Sequence, residues 1–208
     1  MKILLLILFL TILSCESTSI KQEEISVVLT EEQKLKELFI TTIKPLFKTY
    51  KDVVIPNEFR IDEDDNSINA GAADNYLEVS KGLVSSKKEY VKIFVLAHEI
   101  SHIVTLNQAD TFMLSGSIPS GIVTNDYKKT EYLADLIAIH LINIHEKKLS
   151  EILQSNFETL KDLLGNKTFT HPGGNERVNL MKKYLTKEKN DNPSNAFKEM
   201  FKEIWSMN

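Results

Sequence analysis

The chain has 208 residues, 42% of them hydrophobic, which suits one domain with a sizeable core. A formal charge of −4 supplies no basic face and argues against nucleic acid as a partner. Cys15 is the only cysteine, so an intramolecular disulfide and a paired-cysteine redox motif are both excluded.

The chain begins Met1-Lys2, followed by Ile3 to Leu13, eleven residues of which all but Thr11 are apolar. A positive start and so short a run predict an export signal, not a membrane span. The run closes on Ile12-Leu13-Ser14-Cys15, which resembles the lipobox of bacterial lipoproteins. That resemblance implies cleavage before Cys15 and lipidation of its thiol; the plainer alternative is an ordinary cysteine in a cleaved signal. Residues 1–14 are then the signal, and residues 15–27 the lipidated cysteine with a polar tether. Attachment to the membrane would run through acyl chains alone. It would place the protein at a bacterial cell envelope, facing the periplasm or the outside.

Residues 28–186 are expected to form the domain. Thr30 with Gln33 marks a helix start. Leu35, Leu38, Phe39, Ile43, Leu46, Phe47 and Tyr50 follow at helical spacing, and Pro45 should kink or end that helix. Phe59 to Ile61, Ser67 to Ala70 and Tyr76 to Val79 read as short strands, separated by turns at Asp62 to Asn66 and Ala73 to Asn75. A small antiparallel sheet is the expectation. Gly71 among Ala70, Ala72 and Ala73 leaves room for another backbone to approach. That stretch is either an edge that holds a substrate chain by strand addition or a plain hairpin turn.

The next helix, Glu89 to Asn107, contains His98-Glu99-Ile100-Ser101-His102, the H-E-x-x-H pattern. Histidines four apart share one face of a helix, about 6 Å apart at Cβ. At that spacing two imidazoles reach one Zn²⁺. Glu99 can lean over the ion without ligating it and take a proton from a bound water. Val91, Ile93, Phe94, Val95, Leu96, Ala97, Ile100, Ile103 and Val104 make the helix apolar nearly all round, so it should be buried. Burying two imidazoles and a carboxylate is costly unless they are paired or bound to metal. Ser86 with Glu89 is the expected capping box.

Gln108 to Asp126 reads as a loop over the site, and Lys128 to Lys147 as a second long helix. A catalytic zinc takes three protein ligands and leaves one position open. Glu131 and Asp135, four apart, share a face of this helix. Glu131 is the candidate third ligand. Asp135 can accept the free N–H of a zinc-bound histidine. If both were merely exposed acids, the ion would lack a ligand. His140 and His145 are rivals, but His140 stands five past Asp135, on another face, and reads as a core or surface histidine. Further helices are expected over Ser150 to Leu164, closed by Gly165, and over Glu176 to Leu185. Residues 187–208 are expected to hold a polar linker, Lys187 to Pro193, and a last amphipathic helix capped by Ser194 that docks on the domain. His171, before Pro172 in a polar loop, reads alone either as a solvated histidine or as part of the site.

Four blocks, in order, resemble the HtpX-type gluzincin metallopeptidases, the group that includes the CAAX prenyl endopeptidases. They are Asn69-Ala70 with Tyr76 to Leu83, Ala97 to His102, Glu131 to Asp135, and His171-Pro172 with Arg177. Together they span about Ile55 to Tyr184. The resemblance implies an α+β, zincin-like fold, mostly helical, with the small sheet beside the metal helix. It implies one Zn²⁺ per chain on His98, His102 and Glu131, with Glu99 as general base. His171 would help stabilise an oxyanion. Arg177 would orient acidic groups or the substrate backbone, and Asn69 and Ala70 would lie beside the site. Ser101 departs from the family, which usually has glycine there. The expected activity is hydrolysis of peptide bonds in misfolded or unfolded envelope polypeptides. A zinc-stabilised, chaperone-like binding lipoprotein is the alternative from another class, and a zinc hydrolase of non-peptide amides is a third.

Overall fold

The computed structural model describes residues 28–73, 75–116, 124–168 and 171–207. Cys15 and the segments expected to be a signal and a tether, residues 1–27, lie outside the described residues. Thr30 opens helix α1 (Glu31–Leu38) with a full capping box: its hydroxyl accepts from the Gln33 N–H, and the Gln33 side chain accepts from the Thr30 N–H. Pro45 has no N–H to donate back to Thr41. The helix takes up a π-helical turn (Phe39–Ile43) just before it and ends with a short α2 (Lys44–Leu46).

Three strands follow, β1 (Glu58–Asp62), β2 (Ala70–Ala72) and β3 (Tyr76–Ser80), in the spatial order β1-β3-β2. The sheet is mixed, not wholly antiparallel. β2 runs antiparallel to β3, but β1 runs parallel to it, with Glu58 opposite Tyr76 and Asp62 opposite Ser80. Alternation along a strand reports which face is buried and carries no information on the direction of its neighbour. Here β2 and its flanking turns act as the crossover that returns the chain parallel to β1.

The turn after β1 is held by carboxylates. Asp62 accepts from the N–H groups of Asp64 and Asp65, and Asp65 accepts from that of Ser67. Ser80 then ties this loop down. Its hydroxyl accepts from the Asn69 and Leu83 N–H groups and donates to the Ser67 carbonyl, capping α3 (Lys81–Ser85) as it does so. A Cβ on Gly82 would sit 2.1 Å from the Ser67 carbonyl oxygen, so only glycine admits this approach. Asn69 and β2 are thereby held at the sheet edge that packs on the next helix, α4 (Glu89–Thr111).

α4 runs one turn beyond Asn107. The expected capping box does not form: Lys88 is the N-cap residue without a side-chain bond, and Ser86 accepts only from the Lys88 N–H. Val91, Phe94, Leu96, Ala97, Ile100 and Val104 are buried. α4 packs most extensively on α5 (Thr124–His145), whose Leu133, Leu136, Ile137, Ile139 and Ile142 fill the centre of the core. Helix takes both ends of the expected loop between them, and its middle, residues 117–123, lies outside the described residues.

Ser150 to Leu164 is two helices, α6 (Lys147–Ser155) and α7 (Phe157–Leu164), broken at Asn156. Leu153, Phe157 and Leu160 keep helical spacing across the break, which hides it from a periodicity argument. α8 (Gly174–Asn190) is longer than expected and takes up most of the linker. Asn192, not Ser194, caps α9 (Pro193–Trp205): its side chain accepts from the Ser194 N–H, and Pro193 opens the helix. α9 docks on α5 and α8 through Phe197, Met200, Phe201 and Ile204. His140 is a core histidine, stacked on Phe197 with ring centroids 4.0 Å apart. No helix among the described residues is long and apolar enough to cross a membrane.

Candidate metal centre

The helical repeat of α4 sets His98 and His102 one turn apart on the face turned towards α5. Their Nε2 atoms lie 3.0 Å apart, with the rings edge to face at 85°. α5 presents Glu131 across from them. One carboxylate oxygen is 3.4 Å from His98 Nε2 and the other 3.4 Å from His102 Nε2. Ligand atoms on a tetrahedral zinc with bonds of 2.0–2.1 Å stand roughly 3.3 Å from one another. The spacings here are therefore those of donors arranged round one small ion. Glu131 is buried, and its Oε2 is ion-paired with Arg177 Nη1 at 3.2 Å without forming a hydrogen bond. Its carboxylate oxygens keep lone pairs that a metal ion could take up. Two imidazoles and a carboxylate suit zinc by chemistry as well as by spacing.

His98, Glu99 and His102 each offer a ligand atom within 4.8 Å of the others, so the group can hold a metal ion. Glu99 also accepts a hydrogen bond from the backbone of Ala72 in β2. The sheet edge therefore reaches the centre of the group.

Behind the histidines the packing is ionic. His98 Nδ1 lies 2.9 Å from Asp135, which is wholly buried. Arg177, from the first turns of α8, grips Asp135 through two hydrogen bonds of 2.7 Å. The entry of α8 is set by close packing: a Cβ on Gly174 would fall 2.1 Å from the Lys161 carbonyl oxygen of α7. Arg177 thus spans Asp135 and Glu131, one helical turn apart on α5.

These charges set the titration of the site. Burial and the Arg177 guanidinium both disfavour a proton on His98. The Asp135 and Glu131 carboxylates outweigh them and raise its pKa from 6.5 to about 9. Burial and the charge on His98 lower His102 to about 3. The proton that these charges favour on His98 would have to leave its Nε2 for a metal ion to bind there. Burial alone would raise the Asp135 and Glu131 carboxyls, but Arg177 and His98 hold both well below the usual range. Glu99 moves the other way. Burial pushes its carboxyl up, against the charge on His98 and the Ala72 hydrogen bond.

Family models, curated proteins and solved structures give no match to this chain. The geometry on its own gives an H-E-x-x-H-spaced group on a long helix that could hold a metal ion, within an α+β fold.

The other candidate residues take the following places. His171 Nε2 lies 3.7 Å from Glu131 at the more open side of the site. Asn69 and Ala70 line the cavity that His98, Glu99, His102, Glu131, His171 and Arg177 also line. The Asn69 amide is tied back to Asp65. The Ser101 hydroxyl donates to the Ala97 carbonyl within α4, 2.7 Å away, so its added polarity is satisfied inside the helix. His145 is exposed at the end of α5, away from the site. Two contributors escaped sequence reasoning. Phe94 stacks on His98 with centroids 6.2 Å apart; its position one turn earlier on the same face was the available signal. The Ala72 N–H on Glu99 had no sequence signal, because a backbone donor has no side-chain identity.

Proposed function

We propose that the chain is a zinc-dependent endopeptidase. One observation carries this: Glu131, from a different helix, closes on the two histidines at ligand spacing while Glu99 stays beside them with a raised pKa. Bound there by His98, His102 and Glu131, zinc would polarise a scissile carbonyl and lower the pKa of an incoming water.

The rest is the work of this chain. Glu99, half-buried beside the two histidines, takes the water's proton and later passes one to the leaving amine. Asp135 holds the imidazole of His98 in one orientation, and Arg177 holds Asp135. His171 stands at the open side, where it can donate to the developing oxyanion. β2 is the outer strand of the sheet, and its Ala72 meets Glu99. An extended polypeptide laid along that edge would bring its backbone to the reacting water, which favours peptide over other amides.

On this reading the lipobox-like Ile12 to Cys15 tethers the enzyme to a bacterial envelope, and unfolded envelope proteins are its substrates. The test is incubation of the zinc-loaded chain with an unfolded protein, with and without chelator. New fragments that disappear with chelator support the endopeptidase. Polypeptide retained intact would replace it with the chaperone-like binder.

A further inference from the structure

The cavity at the metal centre has a volume of about 260 Å³. Besides the polar group already described and Asn69, its lining holds six apolar residues: Phe94 and Val95 from α4, Ile68 and Ala70 at the sheet edge, and Leu163 and Leu164 from the last turn of α7. Leu160, one turn earlier, is fully buried in the core, whereas Leu163 and Leu164 are only half-buried. Part of their apolar surface is therefore left to the cavity. Their position is fixed from both sides. Gly165 ends α7 at φ +71°, and its carbonyl accepts from the Gly174 N–H at the start of α8. The same packing that brings Arg177 to Asp135 brings these leucines beside His98.

The charged side chains that line the cavity are those of the metal centre, and among them Arg177 is already engaged by Asp135 and Glu131. A charged side chain placed against the six apolar residues would lose water and gain no partner. An apolar one would gain burial. The volume is below the roughly 300–1,000 Å³ that encloses a drug-sized ligand, so it takes a residue or two of a chain.

We infer that the apolar lining of this cavity is a specificity pocket: the protein cleaves next to a bulky apolar residue of an extended polypeptide, and Leu163 and Leu164 set that preference. The inference rests on the endopeptidase reading and adds the substrate side chain that the site selects.

The experiment uses the zinc-loaded full chain and short peptides in which each residue flanking one bond is varied in turn through Leu, Phe, Ala, Glu and Lys. Apolar pockets discriminate by about tenfold or more per side-chain increment. Leu and Phe should therefore exceed Ala by at least about tenfold in kcat/KM at one flanking position, with Glu and Lys lower still. Leu163→Glu should shift that position towards Lys, and Leu163→Ala should narrow the gap between Leu and Ala. The same peptides are then titrated against the Glu99→Gln variant, which reads binding without cleavage. Cleavage with no side-chain preference, unchanged by either Leu163 variant, overturns the pocket and leaves the endopeptidase standing. Absence of cleavage together with binding that ranks Leu above Lys overturns the endopeptidase and the cleavage preference with it, and leaves an apolar binding pocket. Absence of both overturns both.

Discussion

His98 and His140 are both buried imidazoles, and their surroundings send them in opposite directions. His98 lies among Asp135, Glu131 and Arg177, and its pKa rises to about 9. His140 lies between Phe197 and Tyr184, with Nδ1 2.7 Å from the tyrosine hydroxyl. Burial, with His145 as the nearest charge, lowers it to about 4. Burial by itself therefore does not mark a site. What differs is that two carboxylates on one face of α5 stand opposite the histidines of α4. The aromatic end of α5 is where α9 docks, and there the imidazole serves as a flat, half-polar packing unit.

The sharpest break between the two regions is Glu99→Gln. It keeps the shape and hydrogen-bonding reach of the side chain and removes the base. Peptide hydrolysis should fall by roughly 10²–10⁴-fold, with zinc stoichiometry and the circular dichroism spectrum unchanged. Wild-type turnover in that variant would remove Glu99 from the mechanism. Asp135→Asn comes next. It should weaken zinc affinity by about 10–100-fold and destabilise the fold by about 1–3 kcal/mol, because Arg177 loses one of its two buried carboxylate partners and keeps Glu131. Zinc titration against a competing chelator reads the first effect and urea unfolding the second.

The aromatic region should answer to pH instead. His140 has a folded-state pKa below its unfolded value of 6.5, so its neutral form is the one that folding favours. Its contribution is present in full above about pH 6.5 and is lost as pH falls through the folded value of about 4. The loss should amount to a few kcal/mol, on the order of 1.4 per pKa unit. His140→Phe should flatten the difference in unfolding free energy between pH 7 and pH 4.5 relative to wild type. If both proteins lose the same stability over that range, His140 is not the group responsible. The smallest effect is that of His140→Phe at pH 7. The Tyr184 hydroxyl loses one partner, at a cost of about 1 kcal/mol, while zinc affinity should not move.

Several features could be read without a fold. The helical period is local, so the pairing of His98 with His102, and of Glu131 with Asp135, followed from spacing alone. The Thr30 cap and the strand at Tyr76 to Val79 were equally local and were found where expected. Misreadings fell where a neighbour decides. Ser86 lost its capping role because α3 ends on it, and the break at Asn156 left apolar spacing intact. Lys187 to Asn190 looked like linker for want of apolar residues, yet Lys187 lies 2.6 Å from Glu199 of α9 and the helix runs on.

What residue order determined by itself, then, was which side chains share a face, because 3.6 residues per turn is a property of the backbone. That the face of α4 carrying His98 meets the face of α5 carrying Glu131 was decided by the apolar packing between those helices. That Arg177 closes on Asp135 depended on the close approach of α7 and α8 at Gly174, and the parallel course of β1 on a crossover through β2. Each of these joins residues far apart in the chain, and distances of that kind exist only once the core has formed.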